Sequence, residues 1–114
     1  MPKLIYIAGP LTIGDTACNI RNAIDAAERL AEFGYTPVIP HLSYFWHMVY
    51  YHTHEFWLEI DKAIIHRCDA VLRIPGESRG ADEEENYCKQ HNIPFFYSLL
   101  ELLMQVPPHR GQLV

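Results

Sequence analysis

The chain has 114 residues and a mass of 13.2 kDa, which suits one hydrophobic core and excludes two independent ones. With 49% hydrophobic and 20% charged residues it is globular in composition, neither disordered nor of low complexity. Nine Lys and Arg against 14 Asp and Glu give a net charge of -5 with no basic stripe, which argues against duplex nucleic acid and for a small-molecule partner.

Lys3 to Ala8 is a near-continuous apolar run stopped by Gly9-Pro10, and it predicts a central strand buried on both faces. The run is too short for a signal-peptide core or a membrane span, so no membrane association is expected. From Thr16 to Phe33, Ile20, Ala23, Ile24, Ala27, Leu30 and Ala31 recur at helical spacing, with Asp15 or Thr16 as N-cap and Gly34 as the stop. A short strand follows over Tyr35 to Ile39. His41 to Thr53, crowded with aromatics and histidines, reads as the least regular stretch. A second helix is predicted from about Thr53 to Arg67, with Phe56, Ile60, Ala63 and Ile64 as its buried stripe. Asp69 to Ile74 predicts strand three, Gly80 to His91 a third helix, Ile93 to Tyr97 strand four and Leu99 to Met104 a last short helix. Residues 1–104 then form one domain, and 105–114 a C-terminal tail, loose at Pro107-Pro108.

Strands alternating with helices at this spacing imply right-handed crossovers, hence a doubly wound α/β fold: a parallel sheet of about four to five strands with helices on both faces. Ligands of such sheets bind beyond the carboxyl ends of the strands. The loops there are Gly9 to Asp15, Pro40 onward, Pro75 to Gly80 and Tyr97-Ser98.

Gly9-Pro10 ends the first strand in a sharp turn and also suits close backbone approach to a sugar or phosphate. The loop lacks the Gly-x-Gly-x-x-Gly spacing of a dinucleotide site, so no such cofactor is expected. Asp61 lies mid-helix among Trp57, Ile60, Ile64 and Ile65. A charge there is costly unless paired or used, so Asp61 is either a carboxyl of raised pKa or a surface group paired with Arg67 or a neighbouring Lys. Ser78, Gly80 and three successive glutamates open the third helix onto the ligand crevice. If Ala81 and Cys88 face the sheet, helical spacing admits Glu84 or Glu85 inward and turns Glu83 outward. His41, Trp46, His47, His52 and His54 match no zinc-ligand spacing, so no metal is expected. Aromatics and histidines together suit stacking on a planar base, or a packed lid without a ligand. The cysteines Cys18, Cys68 and Cys88 suit reduced thiols acting as small buried hydrophobes, and a cytoplasmic location.

Tyr6-Ile7-Ala8-Gly9-Pro10, Asp61 eight residues before Asp69, and Ser78-x-Gly80-x-x-x-Glu84 together resemble the nucleoside 2-deoxyribosyltransferase-like superfamily, over most of residues 3 to 97. That superfamily includes the deoxyribosyltransferases and the 2'-deoxynucleoside 5'-monophosphate N-glycosidases. The resemblance implies Glu84 as nucleophile, Asp61 as the group that orients the sugar or handles the proton of the departing base, and Tyr6 beside the nucleophile. Ser78 stands where the transferases carry an acid, as in the nucleotide hydrolases, and Thr12 stands where those hydrolases place an arginine. The His41 to His54 segment is similar to that of short members of the superfamily.

The expected function is cleavage of the N-glycosidic bond of a nucleoside or nucleotide, by transfer to another base or to water. Gly9, Pro10, Thr12, His41, Trp46, His47, Ser78 and Gly80 are the expected substrate-binding residues. A helix N-terminus is expected to keep Glu84 ionised while the more apolar setting of Asp61 holds a proton. The alternative is a nucleotide-binding module of the same fold without turnover. A homo-oligomer is expected, because a short chain has little to close its crevice and the aromatic segment calls for a cover.

Overall fold

The computed structural model describes residues 2–108, with strands β1 (Leu4–Ala8), β2 (Thr36–Val38), β3 (Ala70–Arg73) and β4 (Phe95–Phe96). Its helices are α1 (Thr16–Glu32), α2 (Tyr44–Val49), α3 (His54–Ile65), α4 (Arg79–Gln90) and α5 (Leu99–Gln105), with a 3-10 turn over Pro40–Ser43. All strands are parallel in the order β2-β1-β3-β4, with Tyr6 opposite Val38 on one side and Val71 on the other. This is the doubly wound order of flavodoxin-like sheets, whose chain direction of winding reverses between β1 and β3.

Side chains alternate across β1, so one strand serves two apolar layers. Ile5 and Ile7 pack with Ala23, Ala27 and Leu30 of α1 and Leu102 of α5. Tyr6 and Ala8 face the opposite layer, with Ile65 at the end of α3 and Ala81 and Cys88 of α4. Helices therefore cover both faces.

Local chemistry sets the helix ends. Asp15, Thr53, Ser78 and Ser98 each occupy an N-cap and accept a backbone N–H from the first turn of α1, α3, α4 and α5. Gly34, at φ 95°, ends α1 with Gly34 N donating to Ala31 O and Tyr35 N to Leu30 O, the double hydrogen bond of a left-handed helix stop. Asp69 accepts the Leu4 N–H at 2.7 Å, tying β1 to β3 at the edge of the sheet away from the crevice.

Four expectations change. The buried face of α3 is Leu58 and Ile65, with Asp61 between them, whereas Ala63 and Ile64 are exposed. Phe56 is drawn instead into an aromatic cluster with Trp46 and His52. The irregular stretch His41 to Thr53 is largely helical, with the 3-10 turn running into α2, where Tyr44 and His47 lie one turn apart on the face toward the cavity. Helix α5 extends past 104 to Gln105, and the following residues are not loose: Tyr35 Oη donates to Val106 O at 2.8 Å and Pro108 is buried. Of the cysteines Cys88 is in the core, but Cys18 is exposed, since it sits on the outer face of α1. Residues 109–114 of the expected tail lie outside the described residues.

Candidate active site

Beyond the carboxyl ends of β1 and β3, at the reversal of winding, lies a cavity of about 390 Å³. The loop after β1 forms one wall with Gly9, Pro10, Leu11 and Thr12, and the 3-10 turn and α2 add His41, Tyr44 and His47. Helix α3 contributes His54, Trp57, Leu58 and Asp61; the start of α4 contributes Ser78, Gly80 and Glu84; Tyr6 forms part of the floor. All expected site residues line this cavity except Trp46, which stands behind the wall with its ring edge-on to Trp57 at 4.9 Å. The Tyr97-Ser98 loop also lies elsewhere, because Tyr97 turns away to donate to Glu85.

Three glutamates in a row point three ways, as 100° per residue demands. Ala81, Glu84 and Cys88 are the buried stripe of α4. Glu83 is half-buried at the rim, bonded to His54 Nε2 at 2.8 Å and Arg79 Nε at 3.1 Å. Glu85 pairs with Arg73 and Lys89. Glu84 alone reaches the cavity floor, at 5% exposure, and Tyr6 Oη donates to its Oε2 at 2.8 Å.

Asp61 comes to the same point from α3 and lies beside Glu84 and Tyr6 in the cavity wall. Burial pushes Asp61 up from its ordinary 3.8 to about 6, against the opposing pull of Glu84, Tyr6 and His54. Glu84 is also pushed well above its ordinary value, by burial and by the Asp61 charge. Both carboxyls are thus pushed up by burial and titrate as one coupled pair, which keeps a proton above the ordinary carboxylate range. The ionising effect expected from a helix N-terminus does not prevail at Glu84. Glu84 is the sixth residue of α4, beyond the first turn where the helix dipole acts, and it is the more buried of the two. Tyr6, also enclosed, is pushed well above the ordinary tyrosine range by burial and both carboxyls, so it stays a protonated donor.

The remaining walls are built for shape. Gly9 packs so closely on β3 that a Cβ would lie 2.3 Å from Ile74 Cγ1, which accounts for glycine there without any ligand. His41, 3% exposed, bridges the loop: its Nε2 lies 3.2 Å from Gly9 O and 3.1 Å from Pro10 O, and burial lowers its pKa. Ser78 Oγ accepts from Ala81 N at 3.1 Å as the cap of α4, and its own hydroxyl hydrogen remains available to a ligand. Thr12 is exposed at the rim, and Gly80 lies beside His54. Tyr44, Tyr51 and Trp57 also line the cavity, and motif reasoning does not single them out as ligands. The recurrence of aromatics at 44, 47 and 51 was the signal for the first two. Among the described residues no group of three His, Cys, Asp or Glu side chains is placed to hold a metal ion.

A doubly wound α/β domain with paired buried carboxyls at its switch point is the class that fold and site define. The family described as Domain of unknown function (DUF4406) matches residues 3–97, and the chain belongs to it. No curated protein and no solved structure gives a significant match. Among the described residues no helix is long and apolar enough to cross a membrane.

Proposed function

We propose that this cavity cleaves the N-glycosidic bond of a nucleoside or nucleotide, in the manner of the nucleoside 2-deoxyribosyltransferase-like superfamily that the sequence resembles. The observation that carries the reading is the pairing of the enclosed carboxyls of Glu84 and Asp61, both pushed up by burial, beneath an aromatic-walled cavity. Departure of a base leaves an oxocarbenium-like anomeric carbon, so the reaction needs one ionised carboxyl at that carbon and one protonated group at the base. With substrate bound, the proton of the pair sits on Asp61. A Glu84 oxygen then bonds to C1' as the C1'–N bond breaks, and the base nitrogen keeps the electron pair and takes the Asp61 proton. Water or a second base next attacks C1', the Glu84–C1' bond breaks, and the attacking group returns its proton to Asp61. Tyr6 donates to Glu84 throughout and holds its rotamer.

The same reading places the working protein in the cytoplasm as a homo-oligomer. Three free cysteines suit a reducing compartment. Phe45, Met48, Val49, Tyr50 and Tyr51 are 65–78% exposed in one contiguous stretch, a surface for a second copy to cover. A monomer by light scattering across a wide concentration range, with full activity, would remove the oligomer.

The decisive experiment is a panel of nucleosides and nucleotides, with and without an acceptor base, assayed chromatographically for free or exchanged base in the presence of chelator. Base release that is lost in Glu84→Ala, and a 2'-fluoro sugar trapped by mass on the peptide holding Glu84, are the expected results. Tight nucleoside binding without base release, unchanged by Glu84→Gln, would instead leave a binding module. Base release abolished by the chelator and restored by a metal would also refute this mechanism.

A further inference from the structure

His47 lies in the cavity wall on α2, and its Nδ1 is the acceptor of two hydrogen bonds: Trp57 Nε1 donates at 2.8 Å and the His52 backbone N at 3.4 Å. An indole N–H and a peptide N–H can only donate, so Nδ1 must present a lone pair. The hydrogen of the neutral ring is then on Nε2. The indole is itself held in place, with ring centroids 4.9 Å from Trp46, 5.1 Å from Phe56 and 5.7 Å from His52, all nearly perpendicular. Nε2 has no hydrogen-bond partner among the described residues. The buried side-chain atom left without a partner there is Nδ1 of His41, so Nε2 of His47 is not sealed in the protein. His41 and His54, by contrast, use their Nε2 atoms on the Gly9 and Pro10 carbonyls and on Glu83.

We infer that His47 reads the leaving base as a donor of fixed tautomer, selecting a planar heterocycle that turns a carbonyl edge to it over one that turns an amino edge. The inference rests on the nucleoside reading of the cavity and names its substrate class as oxo-bases. A carbonyl oxygen accepts the Nε2 hydrogen, while an amino group brings hydrogens of its own and leaves two donors facing each other. The ring cannot adapt by moving its hydrogen to Nδ1, because that position is filled by Trp57. Tyr44 and Tyr51, at 6.2 and 4.9 Å from the His47 ring, offer the aromatic faces on which such a heterocycle lies.

Two matched pairs test this, 2'-deoxyuridine against 2'-deoxycytidine and 2'-deoxyinosine against 2'-deoxyadenosine, compared by kcat/KM where base is released and by Kd where it is not. The wild type should favour the oxo member of each pair by about tenfold or more. His47→Phe should erase the preference, and Trp57→Phe should narrow it. Nitrogen-15 spectra of histidine-labelled protein should show His47 as the Nε2–H tautomer, and a mixture in Trp57→Phe. Equal handling of both members by the wild type, a preference that survives His47→Phe, or hydrogen on Nδ1 would overturn the inference. Base release without discrimination would sink it and leave the glycosidic reading standing, whereas failure to bind any nucleoside would sink both.

Discussion

The Tyr6 hydroxyl, on the central strand, donates to Oε2 of Glu84 on α4 at 2.8 Å across 78 residues of sequence, and both side chains are almost wholly enclosed. The bond favours the ionised form of Glu84, and Tyr6 does the same for Asp61. One hydroxyl thus opposes the burial that raises both carboxyls.

Tyr6→Phe keeps the ring that packs against Ile65 and Val71 and removes only the hydroxyl. Both carboxyls should then ionise at higher pH, and the acid side of the rate profile should move up by about one pH unit. A pH profile of base release by the variant checks this, and an unmoved acid side would show that the hydroxyl does not govern the pair.

The rate of base release should rise with pH through about 6, as Asp61 ionises and the pair passes from two protons to one. It should fall again at higher pH, when the coupled pair loses its second proton. Asp61→Asn should lower the rate on the order of 10²-fold, erase the limb near 6, and let Glu84 ionise more easily, since a neighbouring negative charge is gone.

The same groups oppose folding. Their ionisations lie above those of the unfolded chain, so their contribution to stability is complete below about pH 4 and is lost as pH rises through about 6 for Asp61 and higher for Glu84. The displacement of Asp61 from 3.8 to about 6 is worth on the order of 3 kcal/mol above that range. Asp61→Asn and Glu84→Gln should therefore melt at higher temperature than the wild type at pH 8, with the gap closing toward pH 4. Thermal melts across that range decide it: variants that melt lower at pH 8 would mean the pair stabilises the fold.

Gly9→Ala should cost roughly 1–3 kcal/mol, because its Cβ would press on the Ile74 side chain at the end of β3. Shortening the obstacle tests the cause: Gly9→Ala with Ile74→Ala should recover part of the loss seen in Gly9→Ala relative to the Ile74→Ala background. Denaturant melts of the four proteins measure the coupling.

Elements with strong local signals are legible in the sequence: β1 from its unbroken apolar run, and α1 from its spacing, its cap at Asp15 and its stop at Gly34. The face of α3 is not. Periodicity selects Ile60 and Ile64 because they are apolar, and it cannot know that the adjoining wall places the polar side chains of Glu84 and Tyr6 beside Asp61. Glu84 is legible through its spacing from Ala81 and Cys88 together with the Ser78-x-Gly80 motif. The raised ionisation of Glu84 is not, since it depends on burial depth in three dimensions. Trp46 and Trp57 are alike as residue types, yet one supports the wall and the other forms it.

The alternation along β1 has an engineering consequence. Ile5 and Ile7 bind the sheet to α1 and α5, and no residue of that layer lines the cavity floor except through the backbone neighbourhood of Ile7. Tyr6 and the ionisable pair belong to the other side. Thermal tolerance can therefore be tuned from positions such as Ala23, Ala27 and Leu102, with the proton chemistry across the sheet left as a separate dial.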